Sequence, residues 1–385
     1  MLFIPHKYLY ISDASYVSAD EPDYKEVITD ANSRRRMGRL LKMAVWCGLK
    51  SLDGVPSERV AGIITSTGAG FMKDTISFGS SIFDREETLL NPSPFMQSTF
   101  NTASGYIALI RKIHAYNTTY VQQADGFAAS LVDAAMLLDD AGEGNVALVG
   151  AFDEVTPEVD VIRQRLGLYR VGDGFLPLGE GAAAFLLSAA MPTDISESCR
   201  ATESSTGPGG DDGSESDSER GGDEAGSESA SERGGDANSE CSTGHLRESE
   251  SASERGGDEA GSESASEHGG ESGSEYSSKP LHEYGETSYG SLNGTKDGSA
   301  DLRFCGLANL SDLPKCAENP IAELFGINAC VNVISCADHV ESLGAFRSLL
   351  PVLLCKLISE QQIPDGYTAI VDDVNEDGVI VLLHK

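Results

Sequence analysis

No cysteine stands between Cys47 and Cys199, although the chain of 385 residues carries eight. That stretch therefore offers no thiol nucleophile and no thiolate ligand. No CxxC pair occurs anywhere, so the pattern fits reduced thiols rather than a disulfide framework or a structural zinc site. No run reaches the ~18 apolar residues of a membrane span. The opening MLFIPHKYLYISDASYV is not a basic leader followed by a long apolar stretch, and a cytoplasmic protein is expected. Bases are scarce as well: 28 Lys and Arg stand against 61 Asp and Glu, for a net charge of -33, which argues against nucleic-acid binding.

The acidity is unevenly spread. Residues 191–300 hold 26 acids and 7 bases, 19 of the 33 excess negative charges. Ser, Gly, Glu and Asp dominate there and apolar residues almost vanish. The segment at Ser218–Gly235, SERGGDEAGSESASERGG, recurs at Ser253–Gly270 with Arg233 replaced by His268. Such a stretch buries too little apolar surface to offset chain entropy, and a disordered insert is expected. The remaining 275 residues, with 35 acids and 21 bases, are enough for a large core.

Helix and strand patterns alternate before the insert. In Ser33–Leu52, Leu40, Leu41, Ala44, Val45 and Leu49 trace one face of a helix whose arginines fall in its first turns. There they oppose the helix dipole and call for an acidic partner or an anion, unless they form a solvated face. VAGIITS at Val60–Ser66 reads as a buried strand running into the turn Thr67–Gly70. Phe100, Ala103, Ile107, Ile110 and Ile113 predict a helix over 98–114, and Thr118–Gln122 a short strand. Phe127, Leu131, Ala134 and Leu138 open a second helical stripe, which Asp139–Gly142 ends. VALVG at Val146–Gly150 is a strand covered on both faces, so strand, helix and strand make a right-handed crossover and a parallel sheet. GEGAAAFLLS at Gly179–Ser188 is a further strand that packs closely against its neighbours. After the insert, Val331–Leu353 reads as strand, turn and helix, and TAIVDDVNEDGVIVLLHK as two strands around a turn. Cys330 and Cys336 flank an apolar strand and read most simply as core residues.

Together RRRMGRLLKMAV, GIITSTGAG, NPSPFMQSTFNTASGYIAL, YNTTYV, SLVDAAMLL, LVGAFDEVT and GEGAAAFLLS resemble the N-terminal half of the β-ketoacyl synthase-like proteins of the thiolase superfamily. The pattern is nearest to bacterial ketosynthase-like and chain-length-factor proteins. The resemblance implies an α/β fold, thiolase-like and layered α/β/α with a mostly parallel sheet; the long disordered insert is read from composition, and the abbreviated second half departs from the family. The chain divides into 1–190, the synthase-like N-terminal half; 191–300, the insert; and 301–385, the remainder of the same fold.

Active members of that superfamily deliver a cysteine to the N-terminus of a buried helix, where the dipole and free N–H groups lower the thiol pKa. The corresponding stretch is Gln122–Gly126, so the nucleophile-turn equivalents are Gln123, Asp125 and Gly126. Chain-length factors typically carry glutamine in place of the cysteine, which gives Gln123 its interest; otherwise it is a polar turn residue. Asp125 is either a reactive group or a helix N-cap. His339, in the turn after the Val331 strand, is either catalytic or an ordinary surface histidine, and Cys336 could pair with it as a thiolate. The family's second histidine loop has no counterpart.

The leading expectation is therefore a β-ketoacyl synthase-like protein without the family nucleophile. It would be a chain-length-factor type subunit that partners an active ketosynthase in fatty-acid or polyketide-type (polyene) biosynthesis. Its partners would be that ketosynthase, in a homo- or heterodimer built on the helix 98–114 and the strand 118–122, and acyl carrier protein. No bound cofactor or metal is implied; phosphopantetheine thioesters of the carrier are substrates of the complex. The alternatives are an active carrier-protein-dependent 3-oxoacyl synthase or acyltransferase with a non-standard site, and a decayed fold whose acidic insert binds cations or basic proteins.

Overall fold

The structure, a computed structural model, describes residues 9–85, 88–122, 125–190, 289–291, 302–315, 317–375 and 377–385. These residues belong to one compact unit formed by 1–207 and 285–385. The insert lies outside the described residues except for Tyr289–Ser291, which form a strand and so trim the low-complexity reading at its end.

The first half runs β1 (Leu9–Val17), α1 (Ala31–Arg36), α2 (Arg39–Ser51), β2 (Val60–Ser66), α3 (Met72–Asp84), α4 (Pro92–Gln97), α5 (Thr102–Arg111), β3 (Tyr116–Tyr120), α6 (Asp125–Ala141), β4 (Val146–Asp153), α7 (Pro157–Leu166), the small hairpin β5 (Arg170–Val171) and β6 (Gly174–Phe175), then β7 (Gly181–Ser188). The second half adds β8 (Tyr289–Ser291), β9 (Arg303–Asn309), α8 (Pro320–Phe325), β10 (Val331–Ser335), α9 (Val340–Leu343), α10 (Leu349–Ser359), β11 (Tyr367–Val371) and β12 (Val379–His384). One sheet takes all but the hairpin, in the order β10-β11-β12-β9-β1-β7-β4-β2-β3, with β8 also beside β1.

That order is nearly symmetric about the seam between β9 and β1. Outward from the seam, β1–β7 and β7–β4 pair antiparallel and β4–β2 parallel. On the other side β9–β12 and β12–β11 pair antiparallel and β11–β10 parallel. The expected layered fold is thus present, with its parallel pairs in two wings and antiparallel strands between. Connection length explains part of this. Helices bridge β2, β3 and β4, as parallel neighbours need, whereas the short turn after β11 can only return β12 antiparallel.

The strands alternate their side chains between layers. Val149 and Phe185 from one half, and Ile370 and Val381 from the other, share a hydrophobic cluster with Phe127 and Leu131 of α6 and Leu353 and Leu354 of α10. The opposite sides of the same strands pack elsewhere: Leu148 and Ala184 meet α2 and α5, and Ala369 and Ile380 meet α8. The helices α6 and α10 thereby form a shared middle layer. LLPVLLCKLIS explains the place of α10, since a helix apolar all round must be buried, and every residue from Leu349 to Ile358 is.

Three expectations change. The helix read over Ser33–Leu52 breaks at Met37 and Gly38, so Arg34, Arg35 and Arg36 occupy the last turn of α1, where cations favour the dipole. The side-chain amide of Gln97 bridges the break, donating to the Arg36 carbonyl and accepting from the Gly38 N–H. Arg39, which starts α2, has found acidic partners in Glu21 and Glu180. The helix predicted over 98–114 is shorter, because Lys112 in the left-handed region closes α5; Phe100 and Ile110 of its predicted stripe are exposed. Cys336 and Cys355 are core residues, but Cys330 is exposed.

Candidate functional site

The ends of β2, β3 and β4 meet where α6 begins. Ser66 pairs with Tyr120, and the Thr67 N–H continues the ladder to the Tyr120 carbonyl at 3.0 Å. Gly126 is buried against them: a Cβ there would lie 3.3 Å from the Ser66 Cβ and 3.7 Å from the Tyr120 oxygen. The absence of a side chain lets the first turn of α6 press onto the strand ends. Ser130 donates back to the Gly126 carbonyl at 2.8 Å. Asp125, the first residue of α6, is exposed; its N–H bonds the Gln122 carbonyl at 3.1 Å. Gln123 lies outside the described residues.

A buried carboxylate holds the adjoining turn. Asp153, at the end of β4, accepts from the Thr67 hydroxyl at 2.9 Å, from the N–H groups of Gly68 and Ala69 at 2.9 and 3.0 Å, and from the Ser348 hydroxyl at 2.5 Å. Thr67 in turn accepts from the Gly70 N–H at 2.8 Å. Burial raises the Asp153 pKa, and its hydrogen bonds work against that rise. Ser348 stands at the N-cap of α10 yet gives no bond to its own helix; its hydroxyl joins the two halves instead.

Around this link the second half contributes more. Arg347 lies over Gly68, whose Cβ would meet the arginine Cγ at 2.7 Å. Its guanidinium donates to the Asn375 side-chain oxygen at 3.3 Å and sits 5.9 Å from the Tyr169 ring centre. Tyr169 donates to the same oxygen at 3.1 Å, and the Asn375 amide donates to Asp372 at 2.8 Å. Burial pushes the Tyr169 hydroxyl up to about 12. The turn is further closed by Phe100, which packs where a side chain on Gly70 would stand.

Cys336 and His339 follow β10, at the other end of the strand order from β3. The Cys336 N–H bonds the Val371 carbonyl at 2.9 Å, and the His339 N–H the Cys336 carbonyl at 3.0 Å. Burial first, then the charges of Asp372 and Asp373, push the Cys336 thiol well above its ordinary value. A nucleophile needs the thiolate, and this setting opposes it. Burial likewise raises the thiols of Cys47 and Cys355. A void between α2, α5 and the sheet, lined by Ala44, Gly48, Thr65, Ala103, Ile107 and Phe152 among others, measures about 10 Å³, room for one water at most.

Among the described residues no group of three or more His, Cys, Asp or Glu could hold a metal ion, and no helix is long and apolar enough to cross a membrane. Asp153, Thr67, Tyr169, Arg347, Ser348 and Asn375 were not legible as one site. The turn Thr67–Gly70 was a visible signal, but Arg347, Ser348 and Asn375 lie beyond the insert.

In three dimensions the chain is similar to the ishigamide ketosynthase/chain length factor, at 12% identity and a TM-score of 0.54 over 98% of this chain and 99% of that one. It is similar also to AntDE:AntF, a type II PKS acyl-carrier protein in complex with its ketosynthase bound to the hexaketide, at 12% identity and a TM-score of 0.53 over the same shares, 98% and 99%. A ketosynthase in complex with its chain length factor from Xenorhabdus doucetiae shares 17% identity over 47% of this chain and 79% of that one, at a TM-score of 0.35. The first two likenesses establish the fold alone. No curated protein matches the chain in sequence. The family model described as the β-ketoacyl synthase N-terminal domain matches residues 13–205, half of the chain, and the chain belongs to that family.

Proposed function

We propose that this protein is a ketosynthase-like subunit without a nucleophile of its own, of chain-length-factor type, which pairs with an active ketosynthase in polyketide- or fatty-acid-type (polyene) synthesis. The observation that carries the reading is the lack of any cysteine from Gly48 to Ser198, the span that includes the start of α6. Two further facts support it: the buried thiols elsewhere are held protonated, and Arg347 and Phe100 fill the turn beside α6. Acyl carrier protein then delivers its thioester to the partner's cysteine, and this chain shapes the space the growing acyl chain enters. The partner surface is the β3 edge with α5, where Tyr116 and Leu109 are exposed.

Co-expression with a ketosynthase encoded alongside it is expected to give a heterodimer; a chain that stays monomeric with each such ketosynthase sinks the reading. In a second measurement, intact-mass analysis after incubation with acyl thioesters should find this chain unmodified. An adduct lost on Cys336→Ala would instead make it an acyltransferase with an unusual site.

A further inference from the structure

The near-symmetry of the sheet identifies one place where an element is missing. Counting from the seam, β10 holds in the second half the place β2 holds in the first. Ile63 pairs with Leu148 and Val333 with Ala369, and both partners face outward from the shared middle layer. Their neighbours Ile64 and Ile334 both face inward. Ile63 and Val333 are therefore equivalent positions. Ile63 is 0% exposed and Val333 56%.

The difference has a definite source. In the first half β3 pairs in parallel with the outer edge of β2, and α5 covers the outer face through Ala103 and Ile107. Among the described residues nothing pairs with the outer edge of β10. Every residue from 336 to 366, between β10 and β11, is described and is spent on turns, α9 and α10. The loop that could have carried the counterpart of α5 and β3 does not contain it.

The β10 sequence, Val-Asn-Val-Ile-Ser, has no charge, no proline and no bulge, the devices by which open edges are normally protected. We infer that the edge of β10 left unpaired among the described residues, with the exposed Val333, accepts an extended segment of a partner polypeptide, running parallel to β10 as β3 runs along β2. Its chemistry follows from the strand it would join: β10 carries no charge and presents the apolar Val333, so the matching cross-strand neighbours are uncharged and β-branched or aromatic, as in Tyr-Asn-Thr-Thr-Tyr of β3. A second copy fits less well. Two β10 edges related by a two-fold axis would pair antiparallel, and β3 of one copy on β10 of the next would build an open filament. The inference rests on the sheet, not on the proposed role beside a ketosynthase.

The test uses the full chain and a synthetic peptide of residues 115–122, which carries the β3 sequence. Hydrogen–deuterium exchange is followed at 331–335, with and without excess peptide, in the wild type, Val333→Asp and Val333→Lys. Exchange at 331–335 should slow about tenfold or more with peptide in the wild type, and the effect should vanish in both variants. The inference is overturned by no slowing, by slowing confined to residues 60–66, or by slowing that survives both substitutions. It is also overturned if the chain alone dimerises with 331–335 protected and Val333→Asp restores the monomer, which would assign the edge to a second copy. Formation of the ketosynthase heterodimer is read separately by size and does not bear on these outcomes.

Discussion

The two halves of the molecule answer one packing problem with different amounts of chain. In the first half β2 is flanked by β4 and β3, and its outer face is closed by α2 and α5. In the second, β11 is the one strand beside β10 among the described residues, and the six-residue α8 serves the outer side. The inner side is not economised: α10 is as fully buried as any element and contributes to the same cluster as α6. What the shorter half retains is the layer shared with its neighbour. What it gives up is the layer only it would have used.

The sharpest challenge to this view is the link that holds the halves together. Asp153→Ala would strand two hydroxyls and two N–H groups, at about 1–3 kcal/mol for each donor left buried without a partner. A loss of roughly 4 kcal/mol or more is therefore expected in denaturant unfolding. A loss under about 1 kcal/mol would mean that the halves are joined by apolar packing alone.

The paired positions come next. Ile63→Ala should cost about 2–5 kcal/mol, whereas Val333→Ala should fall within about 0.5 kcal/mol of the wild type in the isolated chain. Equal losses would break the comparison by showing that β10 is covered after all.

A pH series sharpens it further. Because burial raises the folded-state pKa of Asp153 above the ordinary 3.8, the native state binds the proton more tightly than the unfolded chain does. Stability from this group is full below the unfolded value and declines as pH rises through the folded one. Asp153→Asn keeps the size and most of the acceptor geometry but does not titrate. The stability of the wild type relative to this variant should therefore fall as pH rises from about 4 towards neutrality. A difference that is flat or rises with pH would sink the assignment. Ser348→Ala should cost about 1 kcal/mol in the same measurement, since it removes one of four bonds to the carboxylate.

Much of the first half was legible because its periodicities are local. Val60–Ser66 is the strand it reads as, and Phe127, Leu131, Ala134 and Leu138 are all buried along α6. The errors fell where a tertiary contact outweighed a local pattern. Ser33–Leu52 keeps its apolar stripe, but Gln97, some sixty positions away in sequence, holds it open at Gly38. Phe100 fits a helical stripe and instead lies over Gly70, before α5 begins. In the candidate site, the start of α6 was visible as the stretch Gln122–Gly126 ahead of an apolar stripe, whereas the convergence of Asp153 with Ser348 was not. No spacing rule relates residues separated by almost two hundred positions.

By itself the sequence determined strands such as Val60–Ser66 and Val146–Gly150, the apolar stripe of α6, and that no cysteine stands at the head of α6, because these follow from side-chain period and residue identity. Only the tertiary structure decided that β9 and β1 form the seam, that Arg347 and Ser348 reach the turn held by Asp153, and that Val333 is uncovered where Ile63 is sealed. Those outcomes depend on which surfaces exclude water together, and that is settled by the chain as a whole.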